Sequence, residues 1–134
     1  MPQGAFNKSK THCLKKHEYT EENTYINPQG RRWCRKCMKA NAKIQCIKKY
    51  GISVKEFEKL LAQQNNTCAI CLKEFKSDHE RHIDHDHTCC PAPIRTCGKC
   101  VRGILCGECN RGLAKFLDSS ELLRTAANYL DSYK

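Results

Sequence analysis

The chain has 134 residues, with 24 Lys and Arg against 14 Asp and Glu, 12 Cys, and only 4 Phe, 5 Tyr and 1 Trp. So short and aromatic-poor a chain cannot bury a large apolar core, and cross-links must supply much of its folding free energy. It has no apolar run of transmembrane length, and its start, MPQGAFNKSKTHC, has no apolar signal core, so nothing suggests secretion and a cytoplasmic protein with no membrane partner is expected.

Thiols in a reducing compartment hold metal instead of pairing, so Cys in C-x-x-C spacing points to zinc, with disulfides as the alternative. The charge is uneven. Residues 1–50 hold 12 Lys and Arg against three Asp and Glu, a net +9, while residues 51–134 hold 12 against 11. Three zinc sites using 11 thiolates and one His would lower the formal +10 to about +5. A basic N-terminal module fits the phosphate backbone of a nucleic acid, its rival being a solvated basic face with no partner.

Residues 1–40 read as a basic zinc finger. Cys13 and His17, followed by Cys34 and Cys37, give a C-x3-H and C-x2-C ligand series. Three Cys at such offsets need a fourth ligand, which favours His17 as a ligand over an ordinary surface histidine. The intervening EYTEENTYINPQGRRW has strand formers around an Asn-Pro and a Gly, predicting a short hairpin between the knuckles, with Trp33 packed over the small core of the finger. Arg31, Arg32, Arg35, Lys36 and Lys39 form a cluster suited to phosphates.

Residues 41–66 read as a helical linker. A helix over 35–50 ends near Tyr50, with Gly51 as its left-handed cap. Ser53 and Glu56 form a capping box for a second helix whose apolar stripe is Val54, Phe57, Leu60 and Leu61. Cys46 has no partner at ligand spacing and reads as a buried apolar residue. Asn65 and Asn66 break the second helix.

Residues 67–134 carry the chemistry. RHIDHDH reads as a strand, VRGIL as its partner and GECNRGLAKFL as a helix, followed by a capped helix near 119–132 with Leu123, Ala126, Ala127 and Leu130. Cys68, Cys71, Cys106 and Cys109 suit one tetrahedral zinc, and Cys89, Cys90, Cys97 and Cys100 a further one. The alternative joins Cys97 and Cys100 with Cys106 and Cys109, and Cys68 and Cys71 with Cys89 and Cys90; spacing leaves both open. Asp84 and His85 are adjacent, so a regular strand would point them to opposite faces. For both to reach one site, the strand must end or twist there.

Over residues 53 to about 118, VKEFEKLLAQQNNTCAIC, HIDHDH and VRGILCGECN together resemble phage recombination endonuclease VII and the wider HNH nucleases. The resemblance implies a small zinc-stabilised α+β fold with a ββα-metal (His-Me finger) core, and favours the first cysteine pairing. It also implies a phage-encoded, metal-dependent DNA endonuclease acting in the host cell. His85 would be the general base, with Asp84 and Asn110 holding Mg²⁺ or Mn²⁺. Arg102 suits an electrostatic clamp on phosphate, or a plain surface charge. His82 and His87 would either steady the phosphate or be structural.

The chain departs from the family where some relatives carry an acidic residue one turn after the Asn; here Leu113 stands there. The insertion TCCPAPIRTCGKC is a second departure. The third is the expected absence of a long C-terminal dimerisation segment. A monomer or weak dimer that nicks or cuts duplex DNA, with phage packaging proteins as candidate partners, then fits better than a junction resolvase. The rival from another class is a non-catalytic zinc-finger DNA-binding regulator, which has no need of Asp84, His85 and Asn110. An RNA nuclease is a third reading.

Overall fold

The computed structural model describes residues 10–90 and 96–134. The first nine residues and the PAPIR stretch of the insertion, both used in the sequence reading, lie outside the described residues. The chain divides into two compact units, between Cys46 and Ile47.

In the first unit, strands β1 (Thr24–Ile26) and β2 (Arg32–Cys34) pair antiparallel, Thr24 opposite Cys34 and Ile26 opposite Arg32. Asn27 makes the turn. Its Oδ1 accepts from the backbone N–H of Gln29 at 3.1 Å and of Arg31 at 2.7 Å, and Gly30 supplies the left-handed residue at φ 73°. Helix α1 (Arg35–Lys49) follows β2 without a loop. The buried Asn23 caps it, its backbone carbonyl accepting from Arg35 N–H at 2.8 Å and its Oδ1 from Lys36 N–H at 3.0 Å.

Two expectations fail here. Trp33 does not cover a core: it is 49% exposed. Strand alternation explains this, because its neighbour Cys34 turns inward and is buried, which sends Trp33 outward. Cys46 is likewise exposed. It lies about 100° round the helix from the buried Ile47, off the stripe that turns inward.

The second unit is built on helix α2 (Val54–Gln63), strands β3 (His82–His85) and β4 (Val101–Leu105), and helices α3 (Gly107–Lys115) and α4 (Ser120–Asp131). The predicted capping box is present: Glu56 N–H donates to Ser53 Oγ at 3.2 Å and Ser53 N–H to Glu56 Oε2 at 2.7 Å. Phe57 is buried, Val54, Leu60 and Leu61 pack beside it, and Asn65 and Asn66 stop the helix at φ 52° and 58°. β3 and β4 form an antiparallel hairpin. Ile83, Ile104 and Leu105 join Phe57, Phe75 and Ile52 in one small core that includes Cys68 and Cys106.

Gln64 does the work of a third strand. Its Oε1 accepts from Ile104 N–H at 2.9 Å and its Nε2 donates to Ile104 carbonyl at 2.8 Å. One amide side chain thus satisfies both backbone groups of the fully buried Ile104. Gly103 lets it approach, since a Cβ there would stand 3.1 Å from Gln64 Oε1. α4 is capped by Ser119 as expected, but no residue of it is buried, and Leu130 is exposed. No helix among the described residues is long and apolar enough to cross a membrane.

Candidate functional site

Eleven of the cysteines and His17 assemble into three sets of four: Cys13, His17, Cys34, Cys37; Cys68, Cys71, Cys106, Cys109; and Cys89, Cys90, Cys97, Cys100. In each, the ligand atoms lie within 4.8 Å of one another. Sulfur pairs stand at 3.6 Å (Cys13 and Cys37), 3.8 Å (Cys71 and Cys106) and 3.8 Å (Cys89 and Cys97). A disulfide needs about 2.05 Å, so these are not disulfides. A tetrahedron with metal–sulfur bonds of about 2.3 Å has edges of about 3.8 Å, so each set could hold zinc. The cysteines thus lie together as in the first pairing and not as in the alternative.

Local geometry builds each knuckle. Lys16 at φ 60° lets Cys13 N–H reach His17 carbonyl at 2.9 Å, and His17 Nδ1 comes within 3.3 Å of Cys37 Sγ and 3.6 Å of Cys34 Sγ. Burial raises the Cys34 thiol, but the Cys37 backbone N–H and the Asn23 side chain outweigh it and hold the thiol at about 6, favouring the thiolate that metal requires. Leu72 at φ 61° turns the second knuckle, and Cys106 caps α3, its Sγ accepting from Cys109 N–H at 3.4 Å. The third set is fixed by two glycines back to back. Gly51 and Gly98 have φ 72° and 79°, and a Cβ on Gly51 would stand 2.5 Å from Gly98 N.

The predicted twist between Asp84 and His85 is a β-bulge. Asp84 pairs with Gly103 but His85 pairs with Val101, leaving Arg102 unpaired on β4. A bulge raises local twist and re-aims side chains. Arg102 accordingly reaches Asp84, which is only 6% exposed: Nε donates to Oδ2 at 2.7 Å and Nη2 to Oδ1 at 2.9 Å. That fork-to-fork pair fixes the carboxylate plane, and with the Asp84 bonds as the largest cause it pushes the guanidinium further above its ordinary range.

Arg102 Nη2 also donates to Asp118 Oδ1 at 3.2 Å, and Asp118 Oδ2 lies 2.7 Å from His87 Nδ1. His87 in turn sits against His85, ring centroids 4.4 Å apart, with the Tyr50 ring edge-on to His85 at 5.6 Å. Burial, and then the charge of His87, lower the His85 pKa, which favours the neutral imidazole a general base needs. Burial opposes ionisation of Asp118, but its bonds to His87 and Arg102 prevail and lower its pKa.

The predicted site residues are thus distributed over three elements. Asp84 and His85 lie on β3, Arg102 on β4, and half-buried Asn110 on α3, the helix that packs against β3. Leu113, three residues after Asn110, packs against the core. His82 approaches the start of α3: a Cβ on Gly107 would stand 3.2 Å from its Nε2 and 3.1 Å from Arg111 Nη1. Asp118 and Tyr50 were missed in the sequence. Asp118 follows α3 on two left-handed residues, Leu117 and Asp118 at φ 56° and 53°, which turn the chain at the helix end and carry no local signal in the sequence.

The chain is 30% identical over 82 residues to the Gene 59 protein of Mycobacterium phage D29, covering 60% of this chain and 44% of that protein. It thus spans less than half the length of this relative. Among solved structures it is similar to the ββα-Me type II restriction endonuclease Hpy99I, with 24% identity and a TM-score of 0.38 over 93% of this chain and 66% of that one. The profile of recombination endonuclease VII matches residues 43–132, which take in α2, the bulged hairpin and α3, and the chain belongs to the recombination endonuclease VII family.

Proposed function

We propose that this chain is a metal-dependent HNH endonuclease that hydrolyses phosphodiester bonds in DNA, phage-encoded, with three structural zinc ions. The observation that carries the reading is the bulge, which puts a buried carboxylate and a partly buried imidazole, Asp84 and His85, at the same point of one strand. A zinc protein that merely binds DNA has no use for that pair.

The donor set suits a hard divalent cation, Mg²⁺ or Mn²⁺: Asp84 offers a charged oxygen and Asn110 a neutral amide oxygen. Such a cation supplies Lewis-acid stabilisation of charge on the phosphate and the leaving oxygen. Each Asp84 oxygen keeps a lone pair beyond the one Arg102 uses. His85, its pKa lowered by burial and then by the charge of His87, takes the proton of the attacking water. Arg102 is the clamp on the scissile phosphate, oriented by Asp84 and Asp118, and no described hydrogen bond uses its Nη1. His87, bonded to Asp118, positions His85 by ring contact. The finger of residues 1–40 supplies basic grip, and residues 67–134 the cutting core.

The test is incubation with supercoiled plasmid, a synthetic four-way junction and single-stranded RNA, each with Mg²⁺ or Mn²⁺, for the natural chain and His85→Ala. Plasmid nicking by the natural chain that falls about 10²- to 10⁴-fold in His85→Ala supports the reading. Binding without cleavage in every arm would leave the regulator reading, and cleavage of RNA alone would change the substrate class.

A further inference from the structure

The finger carries an apolar groove that the chemistry above leaves unused. Tyr19, Tyr25, Trp33 and Met38 line it together with Lys15 and Arg32, and it encloses about 670 Å³, within the roughly 300–1,000 Å³ of small-ligand sites. Tyr25 and Trp33 stand directly opposite in the β1–β2 register, so both rings rise from one face of the hairpin. They are 36% and 49% exposed. Arg32 Cζ lies 4.0 Å from the centroid of Tyr19, and Arg35 Cζ 5.7 Å from that of Tyr25.

The chemistry of this surface selects its occupant. Flat rings beside guanidinium groups offer what a nucleobase needs on its face and what its phosphate needs alongside. An apolar peptide would cover the rings but leave the cations of a segment carrying +9 over residues 1–50 without a counter-charge. An acidic peptide would answer the cations and leave the rings bare. In a duplex the base faces are already stacked on one another and only their edges are open. We propose that this groove is a stacking platform for an unpaired base, so that the finger binds single-stranded DNA through Tyr25 and Trp33 and duplex DNA through charge alone. This deepens the nuclease reading and rests on it for the choice of DNA as the ligand.

Trp33 is the only tryptophan in the chain, so its fluorescence reports the groove directly. The full-length, zinc-loaded protein is titrated without Mg²⁺ or Mn²⁺ with a short oligodeoxythymidine, an abasic oligomer of equal length and a blunt duplex of equal length. The oligodeoxythymidine quenches Trp33 emission, while the abasic oligomer and the duplex bind through phosphate and leave it nearly unchanged. Trp33→Leu weakens single-strand binding by about 5- to 150-fold, the range that the loss of one base–aromatic stack gives, with zinc content and duplex affinity unchanged. Trp33→Phe restores most of the loss. Equal quenching by the abasic oligomer, or single-strand affinity unaltered in Trp33→Leu, overturns the proposal. So does emission that no oligonucleotide moves, which would leave the groove to a polypeptide. Plasmid cleavage with Mg²⁺, measured separately, keeps the two readings apart: quenching without cleavage sinks the nuclease, and cleavage without quenching sinks the platform.

Discussion

At the scale of single residues, Asp118 is the side chain that ties the site together, since it touches both the partner of Asp84 and the neighbour of His85. It reaches no reacting atom in the proposed mechanism, so it acts by position and charge. Asp118→Asn keeps an acceptor for His87 but removes the negative charge. Cleavage should then fall about 10- to 100-fold, as when a supporting partner of a site residue is lost, with zinc content intact. The pH profile distinguishes this from a structural defect. The Asp118 carboxylate favours the protonated form of His85 and raises its pKa, opposing the larger lowering by burial and His87. Its removal lets the His85 pKa drop further, so the acid limb of the pH–rate profile should move to lower pH in Asp118→Asn. A limb that moves up, or an unchanged rate, would show that Asp118 is merely a surface partner. Asp84, His85 and Asn110, the residues of the proposed site, stand out in the sequence because they sit in short motifs. Asp118 does not, since it lies 31 residues from His87 and its approach depends on how the turn after α3 folds back.

At the scale of elements, the grouping of the cysteines and the helix caps agree with the sequence reading because their rules are local. Ligand spacing selects Cys68, Cys71, Cys106 and Cys109, and Ser53 with Glu56 specifies where α2 begins. Trp33 and Cys46 were misread for the opposite reason, since a short strand and one helix turn leave the buried side undecided until tertiary contacts choose it. Gln64 was equally hidden: nothing in its sequence neighbourhood marks a side chain that pairs with a strand 40 residues away. Gln64→Ala leaves the backbone N–H of buried Ile104 without its partner and its carbonyl with the Ala69 N–H alone, at 3.2 Å, so it should cost about 1–3 kcal/mol, read as a lowered denaturation midpoint. Stability equal to the natural chain would show that another group, or water, takes over. The thiolate sets differ in protection: Cys68 and Cys106 are buried, whereas Cys89 and Cys97 are exposed. Elemental analysis should give three zinc ions per chain, and graded chelation should free the thiols of Cys89, Cys90, Cys97 and Cys100 first. Two zinc ions, or earliest labelling at Cys68 and Cys71, would contradict this order.

At the scale of the whole molecule, the separation of charge from chemistry becomes a claim about salt. Positive charge is concentrated in residues 1–50, while Asp84, His85 and Asn110 belong to the second unit. Each Lys or Arg that neutralises a phosphate adds about 0.9 to the log–log slope of affinity against salt. The choice of residues decides whether that can be measured cleanly. Arg32 donates to Lys10 carbonyl and Arg35 to Thr24 carbonyl at 3.1 Å, so replacing either disturbs the finger as well as its charge. Lys36 and Lys39 lie on exposed positions of α1, and Lys36→Gln with Lys39→Gln removes charge while keeping long polar side chains of good helix propensity. The double variant should bind duplex DNA more weakly at low salt and show a slope reduced by about 0.9 for each lysine that touches phosphate. Single-turnover cleavage at saturating DNA should stay at the natural rate, because neither lysine belongs to the cutting core. A slope identical to that of the natural chain would identify this stretch of α1 as a solvated face, and the grip would then have to come from the remaining basic residues of the finger or from Arg111 on α3.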